Sequence, residues 1–260
     1  MTRTFRTTLA AAAGLALLLT GCSTDSAEDS TSPTGTSAAG SGQSPEYTGM
    51  LPERPSDGDP VSCTYTPDGD SAREVTPPAA TDVPAAGIAE ATMTTSAGPI
   101  GLLLDRAAAP CTVNSFVSLA EQGYFDGTPC HRLVTSPGLQ VLQCGDPTGT
   151  GTGGPGYGFD TEYPENVYKT GDSQLRQPVV YPRGTIAMAN TGQPGSNGSQ
   201  FFLVYADSQL PPTYTVFGTV DEAGLAVIEE VAAGGDDGSM AAGGGAPNTP
   251  VQIESVTVAS

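Results

Sequence analysis

From residue 88 onward the apolar residues come in short runs, each closed by glycine, proline or asparagine, and this punctuation limits the fold more than any other feature of the chain. With 34 Gly and 23 Pro in 260 residues, few stretches can sustain a helix. Residues 88–95 and 100–104 read as two strands around the turn Ser96-Ala97-Gly98-Pro99. Further strands are expected at 131–134, 139–143, 185–189, 201–205 and 215–220, and 251–258 alternates through Val251, Ile253, Val256 and Val258. Two segments break the pattern. Residues 110–123 carry Val113, Phe116, Val117 and Ala120 at helical spacing, with Pro110 suited to a first turn and Gly123 to a C-terminal cap. Residues 223–232 place Leu225, Ile228 and Ala232 on one helical face before the Gly-rich stretch 234–245 ends it. About eight short strands with one helix early and one late fit a mainly β, closed barrel capped by two α-helices. A parallel sheet would need a helix between most strands.

The first 87 residues have a different character. Arg3 and Arg6 precede an apolar run at 9–19 that is too short to cross a bilayer, and Leu19-Thr20-Gly21-Cys22 follows it. The tetrapeptide resembles a bacterial lipobox, which implies a signal peptide at 1–21 and a lipid on the Cys22 sulfur. The mature chain would then be held at the outer side of the cytoplasmic membrane, where disulfides form. Residues 22–60, rich in Ser, Thr, Gly and Pro, read as a disordered tether. Residues 61–87, still Pro-rich but carrying Cys63 and Tyr65, read as an arm fastened onto the domain at 88–260.

Cys63, Cys111, Cys130 and Cys144 remain after Cys22, and three pairings are open to them. Cys130 with Cys144 is the more attractive pair because the two flank the expected hairpin 131–143. Cys63 with Cys111 would fasten the arm. No two of the four form a C-x-x-C, and the single His stands beside Cys130, so a metal site is not expected. A formal net charge of -19 argues against nucleic acid as a partner and otherwise serves solubility.

Three tempting motifs fail. Residues 149–156 match G-x-G-x-x-G, but Pro155 stands where a helix should open, so a flexible loop is expected. His131 lacks a nucleophile to activate, and G-x-S-x-G is missing. Asn197-Gly198-Ser199 spells a glycosylation acceptor but reads better as a turn.

Five other segments occur in order. They are Phe125-Asp126-Gly127-Thr128-Pro129-Cys130-His131-Arg132, Gln143-Cys144-Gly145-Asp146-Pro147-Thr148-Gly149-Thr150-Gly151, Met188-Ala189-Asn190, Asn197-Gly198-Ser199-Gln200-Phe201-Phe202 and Val216-Phe217-Gly218. Together they resemble the cyclophilin family over about residues 88–258. The resemblance implies a closed eight-stranded antiparallel β-barrel with two helices. It also implies peptidyl-prolyl cis/trans isomerase activity on proline-containing polypeptides, with no cofactor.

By the same resemblance Arg132 is the donor to the proline nitrogen and Gln143 its support. Phe202 is the floor of a proline slot, with Leu139 and Leu210 as its walls. The backbone at Ala189 and Asn190 and the side chain of Gln200 line the groove, and His131 orients its neighbours. The residues between Arg132 and Gln143 outnumber those usual in the family. Gln209 stands where many members carry a Trp, which implies weak cyclosporin binding, and Tyr214 replaces a His of the slot. The expected role is folding assistance to exported chains. Two rivals are a barrel that only holds proline segments of an envelope partner and a solute-binding lipoprotein. The strand pattern disfavours the latter, since such proteins alternate helices and strands.

Overall fold

A computed structural model of the protein describes residues 46–259. Along the chain lie β1 (Thr66–Pro67), β2 (Ile88–Thr95), β3 (Gly98–Asp105), α1 (Pro110–Glu121), β4 (Thr128–Pro129), β5 (Arg132–Ser136), β6 (Leu139–Cys144) and β7 (Tyr157–Gly158). They are followed by β8 (Val179–Tyr181), β9 (Thr185–Met188), β10 (Phe201–Ala206), β11 (Ser208–Leu210), β12 (Val216–Val220), α2 (Glu222–Ala233) and β13 (Gln252–Val258). Nine of these strands form one antiparallel sheet in the order β4-β13-β2-β3-β12-β9-β10-β6-β5, curled into a half-barrel.

The closed eight-stranded barrel is therefore corrected. All eight expected strands are present, and Thr128–Pro129 adds a ninth. With every neighbour antiparallel, the first and ninth positions run in the same direction. The two ends of the order, β4 and β5, are not hydrogen-bonded to each other, and Cys130 and His131 lie between them in the chain. The β2–β3 hairpin also turns more tightly than expected: pairing runs to Thr95 and resumes at Gly98, whose φ of 136° suits glycine.

Strand alternation sends every second side chain inward. On the inner face, Phe201, Leu203, Leu142, Ile186 and Met188 pack with Phe125 and Phe217 around α1, whose Phe116 ring lies 5.0 Å from Phe125 and 5.5 Å from both Phe201 and Phe217. Helix α1 buries Val113, Phe116 and Ala120 as its spacing predicts, and Leu119 as well, while Val117 is half-buried. The Glu162 carboxylate accepts from the N–H groups of Cys111 and Thr112 at 3.0 and 2.8 Å, satisfying two orphan donors of the first turn. In α2 the buried residues are Gly224, Leu225, Ile228 and Val231, so Val231 takes the place expected for Ala232. The Asp221 side chain caps α2 by accepting from Gly224 N at 2.7 Å.

The arm is fastened at several points. A disulfide joins Cys63 to Cys111, the Tyr65 hydroxyl donates to Cys111 O, Arg73 Nη1 donates to the carbonyls of Gly123 and Tyr124, and β1 pairs with β7. Residues 46–60 fall within the expected tether, and the structure lays them on the domain. Met50 bridges Val180, the Tyr163 hydroxyl donates to Pro52 O, and Arg54 pairs with Asp105. The expected signal peptide and Cys22 lie outside the described residues. Among the described residues no helix is long and apolar enough to cross a membrane.

Candidate active site

The alternation that fills the core also sets one row of side chains on the opposite face. Register pairs Arg132 of β5 with Gln143 of β6, Gln143 with Phe202 of β10, Phe202 with Ala187 of β9, and Ala187 with Val216 of β12. Neighbouring strands lie about 4.8 Å apart, so an arginine, an amide and an aromatic ring are brought together by pairing alone. The next row along, Val134, Val141 and Val204, is buried beneath it.

Arg132 and Gln143 are joined through a chain of side-chain hydrogen bonds. Arg132 Nη1 donates to Gln143 Oε1 at 3.2 Å, Gln143 Nε2 to Gln200 Oε1 at 3.0 Å, and Gln200 Nε2 to Gly153 O at 3.0 Å. The other face of the guanidinium is held by main chain: Nε donates to Gly243 O at 3.0 Å and Nη2 to Ala242 O at 3.1 Å. Burial draws the Arg132 pKa below the ordinary arginine value, opposed by the nearby Tyr214. The disulfide Cys130–Cys144 stands one row beyond, its Cα atoms 4.0 Å apart, and each cysteine lies within two residues of the Arg132–Gln143 pair.

Phe202 lies in an apolar cluster separate from the inner core. Val134, Val141, Val179, Tyr181, Ala187 and Val204 are buried with it, and Leu139, Ala189, Leu210 and Tyr214 pack against them half-buried. The Tyr214 ring meets Phe202 edge-on at 5.8 Å. Leu210 is held by the small sheet β11-β8, where it pairs with Val179. Four residues assigned to the slot, Phe202, Leu139, Leu210 and Tyr214, thus share one cluster beside Arg132. The main-chain site is partly spent: Ala189 N donates to Gln200 O, and the Asn190 side chain donates to Thr213 O and accepts from Gly192 N.

His131 does not join the row. It is 6% exposed, and neither ring nitrogen meets a hydrogen-bond partner among the described residues. Burial lowers its pKa from 6.5, with Asp146 pulling upward and Arg132 downward. The segment 149–156 is organised rather than free: the buried Asp146 carboxylate accepts from the N–H groups of Thr148, Gly151 and Gly153. Burial raises the pKa of that carboxyl, but the Thr148 hydroxyl and these amides outweigh it and leave the value below the ordinary one. A Cβ at residue 153 would stand 2.1 Å from Asp146 Oδ1, which is why glycine is required there. Asn197 is buried and bridges Phe159, and the turn of this segment lies earlier, at 194–195, rather than at 197–199 as expected. Beside the row a cavity of about 520 Å³ opens, lined by Gln143, Ala189, Asn190, Gln200 and the loop 151–155.

An apolar slot flanked by a supported guanidinium suits a proline ring and its amide. The family model described as cyclophilin type peptidyl-prolyl cis-trans isomerase/CLD matches residues 91–258. The chain belongs to this family. The chain is similar to "Probable peptidyl-prolyl cis-trans isomerase B" of Mycobacterium leprae, with 57% identity over 200 residues covering 75% of this chain and 66% of the relative. The protein of the same name in Mycobacterium tuberculosis is 52% identical over 211 residues, covering 80% of this chain and 67% of that one. The chain thus spans about two thirds of the length of these relatives. Among solved structures, a Cryptosporidium parvum cyclophilin type peptidyl-prolyl cis-trans isomerase is similar at a TM-score of 0.52 and 28% identity, covering 66% of this chain and 98% of that one. A second crystal structure of that protein, in the presence of the dipeptide Ala-Pro, gives a TM-score of 0.51 at 28% identity, covering 66% of this chain and 99% of that one.

Sequence reading did not place Val134 and Val141 in the Phe202 cluster, although each shares strand parity with a named residue, Arg132 and Gln143 respectively. It also missed the carbonyls of Gly153, Ala242 and Gly243, for which no side chain gives a signal.

Proposed function

We propose that this chain accelerates cis/trans rotation about Xaa-Pro bonds in polypeptides outside the cytoplasmic membrane, where it is held by a lipid on Cys22. The observation that carries the reading is the placement of Arg132 at the edge of the Phe202 slot, in one row with Gln143. Rotation must overcome an amide barrier of roughly 18–20 kcal/mol that arises from conjugation of the nitrogen lone pair. In the twisted amide that lone pair is freed and becomes a better acceptor. A donor fixed opposite the proline nitrogen therefore binds the transition state more strongly than either planar state.

Phe202, Leu139, Leu210 and Tyr214 would hold the pyrrolidine ring by desolvation. Arg132 would donate to the proline nitrogen, and Gln143 would keep the guanidinium in place. Ala189, Asn190 and Gln200 would bound the extended peptide, and His131, buried and neutral, would act only by packing. No proton changes hands, and no cofactor is called for.

Export is supported by Arg3, Arg6, the apolar run 9–19 and Cys22, and by two disulfides of a kind that persist in oxidising compartments. Gln209, exposed on β11, offers no aromatic face to cyclosporin, so binding of the drug is expected to be weak.

The test is the cis-to-trans relaxation of a short Ala-Pro peptide. Acceleration by the full chain is expected; a well-folded chain that binds the peptide without accelerating it would replace this reading with a proline-binding module. Incorporation of labelled palmitate that is lost in Cys22→Ala would support the anchor, and incorporation that survives would refute it.

A further inference from the structure

We infer that the glycine-rich loop 236–247 is a positioning device for Arg132, and that Asp237 is the residue that holds it in shape; the inference rests on the isomerase reading. β5 is the last strand of the sheet, so its outer edge offers unpaired main-chain groups. The loop fills that edge. Leu133 N donates to Gly245 O at 2.8 Å and Gly245 N to Leu133 O at 3.0 Å, which sets the preceding carbonyls, Ala242 and Gly243, against the guanidinium of Arg132.

An arginine has five N–H donors. Gly243 O takes the one on Nε, Ala242 O takes one on Nη2, and Gln143 takes one on Nη1. One donor remains on each terminal nitrogen. The loop therefore fixes which part of the fork is left for a substrate, and Gln143 alone, with a single bond, could not fix the plane of the group.

The glycines follow from this close approach. A Cβ at residue 244, where φ is +70°, would stand 2.1 Å from Leu133 O, and a Cβ at residue 245 would stand 2.0 Å from Asp237 Oδ1. Asp237 closes the loop from inside. Its Oδ1 accepts from Ser239 N at 3.0 Å and Ala246 N at 2.9 Å, while its own N–H donates to Ala246 O at 3.0 Å. Neighbouring Asp236 ties the loop to the sheet by accepting from the Thr135 hydroxyl at 2.8 Å. The Asp237 side chain is exposed and does not touch Arg132, so its effect would pass through the backbone it shapes.

Two variants of the full chain test this. Asp237→Ala removes the acceptor, whereas Asp237→Asn keeps an oxygen at the same place. In the peptide relaxation assay Asp237→Ala should lower kcat about tenfold, with the dissociation constant for the peptide changed less than about twofold, and Asp237→Asn should restore the parent rate within about threefold. Independently of turnover, hydrogen exchange at the Arg132 Nε–H, followed by NMR, should quicken about tenfold or more in Asp237→Ala and not in Asp237→Asn.

An active parent whose Asp237→Ala variant keeps both its rate and the Arg132 Nε–H protection would overturn the proposal and leave the isomerase reading standing. Equal loss in both variants would also overturn it, because the oxygen would then not be what matters. A parent with no activity would overturn the isomerase reading itself, and the positioning role with it.

Discussion

Phe201 and Phe202 are adjacent on β10, yet they do different work because the strand turns them to opposite faces of the sheet. Phe201 is fully buried among Phe116, Phe125 and other rings of the inner core. Phe202 lies in the second cluster, in register with Gln143 and one strand further from Arg132. The inner face is closed by a helix and contributes stability. The outer face keeps half-buried Leu139, Leu210 and Tyr214 around a slot and contributes recognition. The two faces share each strand but belong to separate apolar clusters, so substitutions should separate fold from chemistry.

The sharpest break of that comparison is on the inner face. Phe201→Ala should cost about 3–5 kcal/mol, because the cavity it leaves is walled by rings that cannot collapse onto it. Denaturant melts would check this; a loss below about 1 kcal/mol would mean that the inner face is not what stabilises the sheet. Next comes the arm. Replacing Cys63 and Cys111 by Ser opens a loop spanning 48 residues, worth up to about 4 kcal/mol in the chain-entropy view. The folded fraction should keep the parent rate, since that disulfide lies away from the row, and a rate loss in fully folded protein would tie the arm to catalysis.

A smaller effect is expected at Gln143. Gln143→Ala should lower kcat/KM about tenfold by freeing one side of Arg132 while shifting the melting temperature by only a few degrees. The smallest concerns pH. Because the His131 pKa is lowered by burial in the folded state, its neutral form contributes stability that is full above 6.5 and is lost as pH falls from there toward the folded value. His131→Gln should flatten the fall in melting temperature between pH 7 and pH 5 relative to the parent. An unchanged slope would show that the imidazole is not the group being charged.

The sequence showed much of this where residues repeat and little where backbone acts. Eight strands and both helices were legible because their apolar positions alternate or recur at helical spacing. Thr128–Pro129 was not, since two residues show no period, and with it went the distinction between a closed barrel and a curled sheet. Residues 46–60 read as tether because the few apolar side chains there, such as Met50 and Leu51, are diluted by Ser, Pro and Asp; whether they dock depends on the surface they meet. The Cys130–Cys144 pair followed from its place at the ends of one hairpin.

At the candidate site, Arg132, Gln143, Phe202 and Gln200 were named from the cyclophilin resemblance; register makes the first three neighbours, and a hydrogen bond from Gln143 joins Gln200 to them. The glycine-rich stretches were read only as breaks. Residues 149–156 wrap the Asp146 carboxylate, and 236–247 meet Arg132 with carbonyl groups that every residue type possesses.

The measurement closest to the central claim is the melting temperature and the Ala-Pro relaxation rate of Arg132→Ala, taken side by side with the parent. The account predicts a melting temperature within a few degrees of the parent and a rate constant lower by roughly a hundredfold or more, as for the loss of a donor aimed at a transition state. A variant that melts like the parent and isomerises like the parent would contradict it.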